Sequence, residues 1–320
     1  MRRRSLLLGA AALPGLSRMA AAQDLPAGPI RLVVGFAPGG GIDSFARILA
    51  RRAQDLTGRA FVVDNRPGAG GTIAAAHVAR SAPDGTTLLV GENGVIATAR
   101  AVFASLPYDP ERDLAPVSLC VVQSVLCCAR PTVATDLPGL IAAARARPGA
   151  LSYASAGAGN PTHLFAADFA RRAGIEAVHV PYRGGSQMVA SVLAGETAFG
   201  FFSAASALPQ VRNGGLAALA VGDEQPAPLL PDVPPAGRVL PGFTFAFWYG
   251  INAAGGTPAP LVAALSTTIG TALRHPETRS SLEAQGLKVA ATGPSDYAAF
   301  AAAETLRWSE VARLAGVTPE

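Results

Sequence analysis

The sequence predicts an α/β protein of two lobes, each a mainly parallel sheet flanked by helices, with two crossing strands as hinge. Three observations predict it. Short apolar strands alternate with helical stretches over residues 30–91, giving β-α-β-α-β, the pattern of a parallel sheet with helices on its faces. A second series of the same form runs over 151–221. Apolar stretches at 117–129 and 243–252 flank that series, and the first exceeds a typical strand in length, as a crossing between units requires.

The elements follow in order. I-R-L-V-V-G-F, 30–36, is an apolar strand, and Pro38, Gly39, Gly40 and Gly41 make a turn. The helix after it covers 42–56, where Phe45, Ile48, Leu49 and Leu56 have the spacing of one helical face. A strand at 60–64, a second glycine turn at 67–71, a helix at 72–81 and a strand at 86–91 complete the first series. The second has strands at 151–155, 177–180, 198–202 and 216–221, with helices at 162–172, 186–193 and 204–212. A proline-dense loop fills 225–241, and helices at 258–274, 276–285 and 295–314 finish the chain. One lobe is expected from 29–124 with 250–320, the other from 125–249. Glycine turns at strand carboxyl ends would face the cleft between them, where open α/β sheets bind ligands.

Composition and charge exclude other classes. Of 320 residues 50% are hydrophobic and 15% charged, enough to bury a sizeable core and unlike a disordered chain. The net charge of +4 comes from Arg2, Arg3, Arg4 and Arg18; the remainder carries 22 basic and 22 acidic side chains. A nucleic-acid binder keeps a basic face, so no nucleic-acid partner is expected.

Residues 1–22 have the three parts of an export signal. A basic start precedes an apolar stretch over 6–16, and Ala20, Ala21 and Ala22 fit an A-x-A cleavage site. That stretch is about a dozen residues, short of the roughly 20 that span a bilayer. The run Arg2-Arg3-Arg4-Ser5-Leu6-Leu7 also resembles a twin-arginine signal, and a Sec route is equally open. Cleavage after Ala22 and a mature protein outside the cytoplasm are expected. Export permits disulfides, but the odd count of Cys120, Cys127 and Cys128 leaves at least one thiol unpaired. Buried structural thiols on a strand are the preferred reading; a bond from Cys120 to Cys127 or Cys128 stays open.

Glycine turns at 39–41, 68–71 and 157–159 each precede a helix. The first amides of a helix lack internal partners, the dipole is positive there, and glycine lets a ligand approach. Two such turns in opposite lobes point to an anion cleft. Enzyme motifs fail letter by letter. A dinucleotide fingerprint needs glycine at 44, 73 or 162, where Ser44, Ile73 and Thr162 stand. The only lysine, Lys288, follows Leu287, which excludes a P-loop. Tyr153 takes the first glycine position of a G-x-S-x-G elbow around Ser155. His77, His163, His179 and His275 have no paired metal spacing. No catalytic residue, metal or cofactor is therefore expected. His163, at a helix start, donates either to a ligand or to a loop carbonyl. The alternative function is an exported serine hydrolase using Ser155 with His163 or His179, against which the broken elbow and the missing acid count.

A resemblance adds to these readings. V-V-G-F-A-P-G-G-G-I-D-S-F-A-R (33–47), V-D-N-R-P-G-A-G-G-T-I-A-A (63–75) and P-D-G-T-T-L-L-V-G (83–91) resemble the Bug-type periplasmic solute receptors of tripartite tricarboxylate transporters. L-P-Y-D-P (106–110), Y-A-S-A-G-A-G-N-P-T-H-L (153–164), V-P-Y-R-G-G (180–185), L-P-D-V-P (230–234) and G-G-T-P-A-P-L-V (255–262) continue it in order. The resemblance implies a Venus-flytrap binding protein of the periplasm, a monomer that captures a small carboxylate, catalyses nothing, and delivers its ligand to membrane permease subunits or a membrane sensor. It implies that a carboxylate is held between two loops, largely by backbone amides and ordered water. These map onto Phe36, Gly39, Gly40, Gly41, Ile42 and Asp43, and onto Ser155, Gly157, Gly159, Thr162 and His163. Further ligand positions fall on Asn93, Tyr182, Arg183, Ser203, Ala204 and Ala205. The chain departs from the family at Ala198 and Ser203, where acids are frequent. An acid there can recognise an ammonium group, so its loss points toward an uncharged or anionic ligand, although Asp43 remains nearby.

Overall fold

The computed structural model describes residues 25–158, 160–182, 184–227 and 229–317. The leader at 1–22, Gly159 and Arg183 lie outside them. The first series is β1 (Ile30–Val34), α1 (Gly41–Thr57), β2 (Phe61–Asn65), α2 (Thr72–Ala79) and β3 (Thr87–Glu92). β1 is the centre of a parallel trio, with β2 on one side and β3 on the other. α1 buries Ile42, Phe45, Ala46, Leu49 and Ala53; of the face read from the spacing, Phe45 and Leu49 are core, Ile48 is half-buried and Leu56, in the last turn, is exposed.

A single π-helical turn at Gly94–Thr98 and the short α3 (Ala99–Val102) lead to β4 (Leu114–Ala129), a strand of 16 residues. Then come α4 (Leu137–Ala146), β5 (Leu151–Ser155), α5 (Pro161–Ala173), β6 (Ala177–Pro181), α6 (Gly185–Ala194), β7 (Phe199–Ser203), α7 (Ala204–Arg212) and β8 (Ala217–Val221). The chain closes with β9 (Ala246–Ala254), α8 (Ala259–Arg274), α9 (Pro276–Glu283), β10 (Leu287–Val289) and α10 (Pro294–Leu314).

β4 belongs to two sheets. Its residues 114–124 pair antiparallel with β9, and 125–129 pair antiparallel with β7 and β8. The first sheet runs β2-β1-β3-β9-β4-β10 and the second β8-β4-β7-β5-β6. Each sheet is mixed: β4 leaves one for the other and β9 returns, so the crossing strands oppose each other while the βα units stay parallel. The fold is thus the two-lobed α/β one that the alternation predicts. Register shifts in β4 at 116/118, 119/121 and 127/128 mark bulges, which bend a strand, along the one strand that serves both sheets.

The second crossing begins later than its apolar run suggests. Phe243 and Phe245 are buried in the core, but regular pairing starts at Ala246. α4 and β10 were not visible as elements; α4 opens with Asp136 capping the Gly139 amide at 2.7 Å and a proline in its first turn. α10 packs against both β4 and α5. Its Trp308 ring lies 5.1 Å from that of Phe165 on α5, and Glu304 Oε2 accepts both indole N–H groups, from Trp308 at 2.9 Å and Trp248 at 3.2 Å. Two buried tryptophans are thereby satisfied by one carboxylate. The three cysteines are free, buried thiols of β4, each in a different core cluster. Among the described residues no helix is long and apolar enough to cross a membrane.

Candidate functional site

Four helices begin at one cavity. It holds about 200 Å³ and takes Gly41 from the first turn of α1, Asn160 and Thr162 from α5, Gly185 and Met188 from α6, and Ser203, Ala205 and Ser206 from α7. Glu92, Gln123, Phe247 and Tyr249, at or near the end of β3 and on β4 and β9, form the wall facing α5–α7. Helix N-termini carry partial positive charge and unsatisfied N–H groups, so four of them converging favour an anion. Among the described residues no lysine, arginine or histidine lines the cavity.

The first predicted loop divides into a lining part and a supporting part. Gly41 faces the cavity, where a β-carbon would lie 3.5 Å from the Tyr249 hydroxyl. Gly40 is the N-cap of α1 with φ −78° and ψ 169°, and a β-carbon there would meet nothing nearer than the Ala37 carbonyl at 3.8 Å. Gly39 has φ +87°, which favours glycine, and donates its N–H to Asp43 Oδ2 at 2.9 Å. That amide is therefore occupied by the protein's own carboxylate. Asp43 is buried, also accepts from Arg47 at 2.9 and 3.0 Å and from Asn65 at 2.9 Å, and is held down at about 2, chiefly by Arg47. Ile42 is core, and the Phe36 carbonyl accepts from Asn65.

The second loop is likewise braced from within. Asn160 caps α5, accepting from the Thr162 amide at 3.0 Å, and Thr162 Oγ1 accepts the Ala156 N–H at 2.9 Å. Gly157, at φ +123°, turns the chain between them. Ser155 lies 2.6 Å from His179 Nε2, and His179 stacks on His163 at 3.9 Å. Burial and the neighbouring His179 push His163 down to about 4. Ser155 is wholly buried, so its Oγ faces no substrate, and the pair supports the loop. The hydrolase reading falls on this point.

The remaining predicted residues separate in the same way. Ser203 caps α7, with Ser206 Oγ at 2.8 Å, and both line the cavity with Ala205. Ala204 is buried beside a different groove, and Tyr182 reaches Glu196 Oε2 at 3.4 Å. Asn93 is fully buried behind the wall: its Nδ2 donates to the Ala246 carbonyl, and its Oδ1 is buried with no hydrogen-bond partner. The residue in the wall is its neighbour Glu92. Sequence reading missed Glu92, Gln123, Gly185, Met188, Ser206, Phe247 and Tyr249 among the lining residues; Asn160, before Pro161 at a helix start, lies within the predicted 155–163 loop without having been singled out.

Comparison with known proteins agrees with the fold. The sequence profile of the tripartite tricarboxylate transporter family receptors matches residues 45–317. A protein from the tcbD-tcbE intergenic region of Pseudomonas sp. (strain P51) is 37% identical over 289 residues, covering 89% of this chain and 86% of the relative. Protein BugT of Bordetella pertussis is 33% identical over 308 residues, covering 95% and 94%. Among solved structures, Rpa4515 of R. palustris with adipate has a TM-score of 0.85 at 32% identity, covering 92% of this chain and 99% of that one. MatC (Rpa3494) of Rhodopseudomonas palustris with bound malate has a TM-score of 0.80 at 32% identity, covering 90% and 99%. This chain belongs to the tripartite tricarboxylate transporter receptor family, the Bug-type periplasmic solute-binding proteins, which bind ligands rather than transform them.

Proposed function

We propose that the protein is an exported periplasmic receptor that closes two lobes over a small mono- or dicarboxylate and presents it to permease subunits or to a membrane sensor. The convergence of four helix N-termini on a cavity with no cation among its described lining residues carries the ligand class. Adipate and malate in two structures of similar fold support it. The lobes are taken as 29–124 with 250–320 and as 125–249, with β4 and β9 as hinge and Arg183 and Gly159 as further contacts. Ligand bridges both lobes and shifts an open–closed equilibrium through the contacts it gains only in the closed state.

A thermal-shift screen of mono- and dicarboxylates tests the reading. Ligand at a hundred times its dissociation constant adds about 2.7 kcal/mol to the folded state. Small-angle scattering with the best ligand is expected to give a smaller radius of gyration. No shift with any carboxylate would sink the proposal.

A further inference from the structure

The cavity that would take an anion has a carboxyl group in its wall. Glu92 ends β3, stands in register with Tyr249 of β9, is buried, and lines the same space as Gly41, Thr162 and Ser203. Its Oε1 sits where a β-carbon of Gly94 would be, and Pro161 of α5 is beside that point. Glu92 therefore lies where β3 and α5 meet. An ionised Glu92 and an ionised ligand would repel each other inside a small cavity with no cation among its described lining residues.

We propose that Glu92 is the specificity-determining side chain of the cleft: it meets the ligand as a neutral carboxylic acid, donates its O–H to a ligand carboxylate, and makes capture take up one proton. This rests on the carboxylate reading above. The proton comes from solvent and stays on a Glu92 oxygen, and no bond in the ligand changes. Two carboxyl groups in contact share one proton because both cannot ionise.

The surroundings favour the neutral form. Burial pushes Glu92 up to about 7, and the Gly94 amide opposes this only in part. The titratable groups coupled to it are the phenols of Tyr249 on β9 and Tyr108 after α3, both pushed up by burial and by Glu92 itself, so both stay neutral. Tyr108 donates to the Val95 carbonyl and Tyr249 to Gln123 Oε1. β4 contributes Gln123, and the π-turn contributes no charge. On α5, His163 is pushed down to about 4 and is neutral near pH 7; on α1, Asp43 and Arg47 neutralise each other.

The experiment is calorimetric titration of the mature protein with malate and adipate near pH 6 and pH 8, in buffers of different ionisation enthalpy, for wild type and Glu92→Gln. If only the protonated form binds, affinity is about tenfold tighter at the lower pH, with about one proton taken up near pH 8. Glu92→Gln keeps a donor without ionising, so its affinity is expected to be flat with pH and its proton uptake zero. Equal wild-type affinity at both pH values with no proton uptake overturns the proposal while leaving carboxylate binding intact. Glutamate or aspartate binding that Glu92→Gln abolishes also overturns it, since Glu92 would then be an ionised ammonium acceptor. Absence of binding by every carboxylate at either pH rejects the receptor reading and this inference with it. Carbon-13 spectra of the Glu92 carboxyl in the liganded protein near pH 8 add a separate check: a protonated carboxyl is expected, and an ionised one refutes the proposal.

Discussion

Asp43 Oδ2 accepts the Gly39 backbone N–H at 2.9 Å, so the turn that opens α1 is closed by a carboxylate of the chain itself. The turn owes its shape to that bond and to the Arg47 and Asn65 contacts on the same side chain. Asp43→Ala is expected to destabilise the protein by roughly 1.5–3 kcal/mol, as loss of a buried hydrogen-bonded charge does. Because the folded-state value is depressed to about 2, this contribution is present above the ordinary aspartate value and lost as pH falls toward 2. Urea melts at several pH values, compared with Asp43→Ala, check both statements.

Gly40→Val separates fold from binding. The backbone at Gly40 suits any residue and the space beside it is open, but valine is a poor N-cap, so the variant should lose only about 1 kcal/mol and stay folded. Gly40 adjoins Gly41, the α1 residue that lines the cavity, so the added side chain is expected to hinder an incoming carboxylate there and weaken binding. Normal binding by the well-folded variant would show that the ligand draws nothing from Gly40 and leave Gly41 as the α1 contact to test.

His163 should shape the acid limb of the stability curve. Its folded-state value, about 4, lies below that of a solvated histidine, so the unfolded chain binds a proton first. Stability from this group is full above about pH 6.5 and drains away as pH falls to about 4. His163→Phe should flatten that window. A curve that keeps its slope there would assign the loss to another group.

Ser155→Ala should abolish the contact with His179, cost about 1–3 kcal/mol, and leave ligand closure in place. Neither form should turn over an ester panel. Ester turnover by the wild type that Ser155→Ala removes would reinstate a hydrolase.

The elements with strong periodicity could be read from the residues alone. β5 falls on 151–155 as expected because its apolar run is bounded by Gly149 and Gly157, and α7 on 204–212 because Ser203 and Gly214 bracket it. α4 hid because Pro138 and Gly139 read as a turn in sequence, whereas they sit in its first turn, and β10 is too short to show alternation. The glycine turns located half of the cleft. The other half depends on register: Glu92 looks like an ordinary acid after a strand until β9, about 150 residues later, sets Tyr249 opposite it. Asp43 shows the converse. Its place beside a glycine turn suggested ligand contact, but an i,i+4 arginine and the Gly39 amide engage it first.

The order of strands has a consequence for assembly. β9 lies between β3 and β4, so the middle of the first sheet is supplied by residues 246–254. A nascent chain ending anywhere before them exposes the edges of β3 and β4 and cannot complete that sheet. Such distant pairing is slow to nucleate. The first sheet should therefore gain its protection from proteolysis only after residues 246–254 have been made, later than the second sheet, whose strands end at Val221.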